Sequence, residues 1–125
     1  MLVDDETDIT ETQSLYLEFF GFDVVTANSA SEALNKMSAR LPDLIISDCM
    51  MPEIDGVEFS RRLRERTDTR AIPIILTSGA PYFHDLRSPT YDLFLLKPVV
   101  MTRLTEEIRR LLAAASQAHG DMKPA

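Results

Sequence analysis

The chain has almost no thiol chemistry to offer. Cys49 is its single cysteine, so no intramolecular disulfide can form. That suits a reducing compartment, and a domain of 125 residues needs no staple because it buries roughly two thirds of its unfolded surface. No apolar run reaches the length of a membrane span. The opening residues Met1-Leu2-Val3-Asp4-Asp5 turn acidic at once and lack the basic and apolar regions of a signal peptide, so a cytoplasmic location is expected. Basic residues are also in deficit, with 13 Lys and Arg against 20 Asp and Glu, a net charge of −7. Phosphate backbones need a positive surface, so direct nucleic-acid binding is not expected. The two histidines, His84 and His119, have no metal-ligand spacing.

What is present is an alternation of two apolar patterns. Short β-branched runs occur at Leu2–Val3, Asp23–Thr26, Asp43–Ser47, Pro73–Thr77 and Asp92–Leu96. Helical periodicity lies between them. The first helix is expected from about Asp8 to Phe20, packing Thr12, Leu15, Tyr16, Phe19 and Phe20 inward, with Gly21 ending it. A capping pattern, Ser29-Ala30-Ser31-Glu32, opens the second, which buries Ala33, Leu34 and Met37. A third follows Gly56 and presents Val57, Phe59 and Leu63. Between Gly79 and Tyr91 only a short or irregular helix fits, because Pro81 can start one and Pro89 must end it. The last runs from about Met101 to Ala115 on a stripe of Leu104, Ile108, Leu111 and Leu112. The expectation is one doubly wound α/β domain over residues 1–116, with a five-stranded parallel sheet and a flexible tail over 117–125.

In open sheets of this kind, sites form beyond the carboxyl ends of the strands. Those ends carry Asp4-Asp5, Asp48, Thr77-Ser78-Gly79 and Lys97-Pro98. Each alone has a plain structural reading as a turn or cap. Together they are harder to dismiss. Three carboxylates at one edge repel, and a hard divalent cation such as Mg²⁺ relieves them. A lysine and a hydroxyl beside such an ion suit phosphoryl chemistry.

Four strings carry a family resemblance: Leu2-Val3-Asp4-Asp5-Glu6, Asp48-Cys49-Met50-Met51-Pro52-Glu53-Ile54-Asp55-Gly56, Ile74-Ile75-Leu76-Thr77-Ser78-Gly79 and Phe94-Leu95-Leu96-Lys97-Pro98. In this register the chain resembles the CheY-like receiver domains of two-component response regulators, over about residues 1–115. The resemblance implies a flavodoxin-like strand order, 2-1-3-4-5. It implies Asp48 as phosphoacceptor from a histidine kinase or phosphotransfer protein. Mg²⁺ would lie on Asp5, Asp48 and the Met50 carbonyl, with Asp4 beside it directly or through water. Lys97 would pair with a phosphate oxygen, Ser78 would be the switch hydroxyl, preferred to Thr77, and Phe94 the switch aromatic. The Lys97–Pro98 bond is a candidate cis peptide. The chain departs from the pattern in a shortened first strand and a shortened segment from Ser78 to Lys97, which bears on the output surface.

Other residues are set aside. Cys49 has no His partner for thiol catalysis, and Met50 and Met51 read as loop packing. The arginines Arg61, Arg62, Arg64, Arg66 and Arg70 are diluted by Glu58, Glu65 and Asp68 and read as a solvated face. Two other functions compete. One is a receiver-fold interaction module that signals without phosphate. The other is a phosphohydrolase with an aspartyl intermediate, whose haloacid-dehalogenase form would carry Asp-x-Asp where this chain has Asp48-Cys49-Met50.

Overall fold

The computed structural model describes residues 1–80 and 89–121, with side chains up to residue 117 in the final helix. The elements are β1 (Leu2–Val3), α1 (Thr7–Phe19), β2 (Thr26–Ala27), α2 (Ala30–Met37), β3 (Ile45–Asp48), α3 (Gly56–Glu65), β4 (Ile74–Ser78), β5 (Leu93–Leu96) and α4 (Met101–Asp121). All strand pairs are parallel and the order is β2-β1-β3-β4-β5. The expected short helix between Pro81 and Pro89 lies outside the described residues, as do His84 and the side chain of His119.

Alternation along the strands divides the core into two layers. Val3, Ile45, Ile74 and Leu76 point to one face, where Ala30, Ala33, Met37, Phe59 and Leu63 of α2 and α3 cover them. Leu2, Ile46, Ile75 and Leu95 point to the other, against Leu17 of α1 and Leu104, Ile108 and Leu111 of α4. A side-chain period of two dictates this split once both faces are helix-covered.

The Ser29 and Gly21 caps follow the sequence, and Asp55 adds one that was not expected. Ser29 Oγ accepts from Glu32 N–H at 3.1 Å, and Asp55 Oδ1 accepts from Glu58 N–H at 2.8 Å. Gly21, at φ 93°, closes α1: its N–H donates to Glu18 O at 3.0 Å while Phe22 N–H donates to Leu17 O at 3.2 Å. That pair of bonds is a Schellman motif, with Phe22 packing into the same core cluster as Leu17.

Two sequence expectations are corrected. The buried stripe of α1 is Thr10 and Leu17, whereas Leu15 is 70% and Phe19 84% exposed. Periodicity tells which residues share a face, and the aromatic side chains marked the outer face as the inner one. The last helix continues to Asp121 rather than stopping near Ala115. Residues 116–119 carry no helix breaker. A lone Gly120 costs only ~1 kcal/mol, too little to terminate a helix already propagating. Ser116 and Gln117 are exposed, so the apolar pattern stops before the helix does.

Candidate functional site

The parallel register brings the chemistry to one edge. Val3 pairs with Ser47, so Asp4 emerges beside Asp48, the last residue of β3. Asp48 pairs with Thr77 and Ser78 with Leu96, which sets Lys97 just past the end of β5. Carboxylate oxygens of Asp4, Asp5 and Asp48 lie within 4.8 Å of one another. Asp4 and Asp48 are buried and Asp5 is exposed.

Lys97 lies two strands from Asp48, a separation of roughly 10 Å at the usual strand spacing. Its flexible stem crosses that gap over the end of β4. The ammonium Nζ is 3.0 Å from Asp4 Oδ2 and 3.5 Å from Asp48 Oδ1. Asp4 is further held by Glu6 N–H, which donates to its Oδ1 at 2.9 Å. Both Asp4 oxygens are therefore engaged by protein donors, while Asp5 faces outward. Backbone support comes from Lys97 N–H donating to Ser78 O at 2.7 Å and Cys49 N–H donating to Thr77 O at 2.7 Å.

Electrostatics follow from this packing. Burial pushes the Asp48 carboxyl above its ordinary range and the neighbouring Asp4 charge adds to it, while Lys97 and the Met50 N–H pull the other way. For Lys97, burial acts to lower the ammonium, but the hydrogen bond to Asp4 and the charges of Asp4 and Asp48 outweigh it and raise it. Burial, followed by the charges of Asp55 and Asp48, lifts the Cys49 thiol to about 11. The thiol is buried in the core and stays protonated at neutral pH, which rules it out as a nucleophile there.

The other expected residues fall as follows. Ser78 is buried at the end of β4, and its Oγ accepts from Ala80 N–H at 3.2 Å. Phe94 is half-buried against the α2–α3 side of the core. Met50 follows Asp48 by two positions with its side chain exposed. The peptide bond between Lys97 and Pro98 is cis. Arg61 and Arg62 pair with Glu58 and Glu65, and Arg66 with Asp68, as a solvated face should, but Arg64 departs from that expectation: it is half-buried and its guanidinium bonds Arg70 O, Ile72 O and Asp92.

Two supports of the site were not read from the sequence. Gly56 opens α3 directly behind the acid edge, and a Cβ there would lie 2.4 Å from Asp48 O and 2.9 Å from Cys49 Cα. Only glycine lets the helix start that close. Its place in the Asp-Gly string was the available signal. Arg64 and Asp92 join α3 to the root of β5 at 2.9 Å across 28 residues, a pairing no local pattern announces.

Comparisons with known proteins point one way. The profile of the response regulator receiver domain matches residues 1–109. The response regulator Rre1 of Synechocystis is 37% identical over 126 residues, covering 97% of this chain and 54% of the relative. The chain thus spans about half the length of the curated relatives it matches. Among solved structures, a CheY-like receiver domain protein of Methanospirillum hungatei superposes with a TM-score of 0.84 at 26% identity, covering 94% of each chain. The response regulator TrrA of Thermotoga maritima, solved in complex with Mg²⁺–BeF, gives 0.78 at 32% identity, over 88% of this chain and 95% of TrrA.

Proposed function

Because the chain belongs to the response regulator receiver domain family, we propose that Asp48 accepts a phosphoryl group from a phosphohistidine of a sensor histidine kinase or phosphotransfer protein. The observation that carries this is the convergence of three carboxylates within 4.8 Å, with one ammonium reaching two of them. An Asp48 oxygen forms the new O–P bond as the donor's N–P bond breaks, and that electron pair stays on the donor imidazole. Lys97 turns from Asp4 to an oxygen of the new acyl phosphate. Ser78 supplies the hydroxyl that follows, and Phe94 repacks behind it. Water later returns Asp48 and inorganic phosphate.

Among the described residues the donor set is all hard oxygen, with no His or Cys in the cluster, and fits Mg²⁺. Asp5 and Asp48 with the Met50 carbonyl would hold the ion, and Asp4 would stand beside it. When bound, Mg²⁺ neutralises charge on the transferring group. Asp5 suits direct ligation, since it faces outward, whereas Asp4 is already committed to Glu6 N–H and Lys97.

The domain thus catalyses only its own phosphorylation and dephosphorylation, and works in the cytoplasm, where a kinase partner would supply the group. A phosphate-independent module gives no reason for burying Asp48 beside Asp4 and bridging both with a lysine from two strands away. Borohydride trapping tests the assignment. After incubation with acetyl phosphate and Mg²⁺, reduction and peptide mapping should find the modified residue at Asp48. A modified residue elsewhere, with Asp48 intact, overturns it.

A further inference from the structure

Among the described residues β5 is the edge strand of the sheet, bonded to β4 on one side only. It also carries the ammonium that the site depends on. An edge strand has a single ladder, and side chains tie β5 at both ends as well. At its upper end Lys97 bonds Asp4 at 3.0 Å. At its root Asp92 Oδ2 accepts from Ile74 N–H at 2.7 Å and from Arg64 Nη2 at 2.9 Å. The other arm of the same guanidinium, Nη1, donates to Arg70 O at 2.8 Å and Ile72 O at 2.7 Å. One fork therefore joins α3, the connection into β4 and the root of β5. A second link lies one turn away, where Ser60 Oγ of α3 meets Thr90 Oγ1 just before β5. Ser60 is fully buried and also donates to Val57 O.

We propose that Arg64 and Asp92 are positioning residues for Lys97. Their clamp holds the root of β5 against α3 and so sets how the ammonium, five residues on, lies between Asp4 and Asp48. The inference rests on reading Asp48 as the phosphoacceptor and Lys97 as its cation. Lys97 is parked nearer Asp4 than Asp48, so phosphoryl transfer requires it to shift across the site. A fixed root confines that shift to the upper end of β5 and the lysine stem. A loose root lets the whole strand ride, and the ammonium is no longer preorganised. Misplacement of one charged group at a reacting centre slows the step without removing any group that performs it.

The test uses Arg64→Met, which keeps the stem and removes every donor, and Asp92→Asn, which keeps an acceptor for Ile74 N–H but drops the charge. Arg62→Met, on the same helix and paired among the described residues with Glu58, is the control. Phosphorylation by acetyl phosphate is followed by intact mass, Mg²⁺ affinity by the metal's shift of the melting midpoint, and folding by circular dichroism. Both clamp variants should label about threefold to tenfold more slowly, with Mg²⁺ affinity within about twofold of wild type because Asp5 and Asp48 are untouched. Arg64→Lys should recover part of the rate and Arg62→Met should change nothing. A purely structural clamp would lower the melting midpoint and leave the labelling rate of the folded protein alone, and that result overturns the inference. Should Arg64→Met fail to fold, the milder Asp92→Asn decides by the same criterion. Failure of wild type to label at all would instead strike the Asp48 assignment.

Discussion

Lys97 is bonded more closely to Asp4, at 3.0 Å, than to Asp48, at 3.5 Å. The cation thus rests on the carboxylate that is not the proposed acceptor and stays within reach of the one that is. Removing it leaves two buried carboxylates without their counter-charge. Lys97→Met is expected to destabilise the metal-free fold by about 2–3 kcal/mol, less than the ~3–5 kcal/mol lost when one partner of a fully buried pair is deleted, because Lys97 is itself partly exposed. Saturating Mg²⁺ should restore much of the loss. Urea denaturation with and without the metal checks both; a loss equal in the two conditions counts against the shared charge balance.

Asp48 gives the opposite sign. Its folded carboxyl is raised above its ordinary value, burial being the largest cause. A raised acid contributes stability that is fully present below the unfolded pKa and lost as pH rises through the folded one. Asp48→Asn removes that loss. The metal-free variant should therefore melt higher than wild type at pH 7, with the gap shrinking as pH falls toward 4. Thermal melts across that window decide it, and an equal or lower midpoint for the variant at pH 7 would sink the idea.

The two faces of α1 should respond unequally to substitution. Leu17 is 3% exposed and Phe19 84% exposed. Leu17→Ala should cost about 2–5 kcal/mol, as core truncations do. Phe19→Gln should shift stability by no more than ~0.5 kcal/mol, as surface changes do. Comparable losses at the two positions would mean that the aromatic face is buried after all.

Glu53 sits at φ 67° in the loop between Asp48 and α3, a left-handed conformation that costs a side chain free energy. Glu53→Gly should stabilise the fold by up to ~1 kcal/mol, relief of the roughly 1–2 kcal/mol left-handed strain exceeding the ~0.4–1 kcal/mol entropy of a freer unfolded chain. Denaturant midpoints measure this. A destabilised variant would show that the Glu53 side chain holds the loop through its own contacts.

How much of this was legible beforehand depended on the range of the signal. Caps are local, and Ser29 and Gly21 announce their helix limits within four residues. The acid edge was legible because a parallel sheet delivers every strand's carboxyl end to the same side, so Asp4, Asp5, Asp48 and Lys97 came together there. The inner face of α1 was not legible. Its buried stripe is Thr10 and Leu17, with little apolar contrast, while Leu15 and Phe19 look like core and face out. The Arg64–Asp92 clamp was hidden for another reason: it joins side chains 28 residues apart and leaves no periodic trace. Nor could periodicity show that Lys97 would reach Asp4 more closely than Asp48, which depends on how one side chain crosses the end of β4.

The most direct test of the central claim is intact mass after incubation with acetyl phosphate and Mg²⁺. Wild type should gain the mass of one phosphoryl group. The gain should vanish in Asp48→Asn and when the metal is chelated, and it should be lost on mild alkaline treatment as acyl phosphates are. An undiminished gain in Asp48→Asn, or no gain in wild type protein that is folded and metal-saturated, would contradict the assignment of Asp48 as the phosphoacceptor.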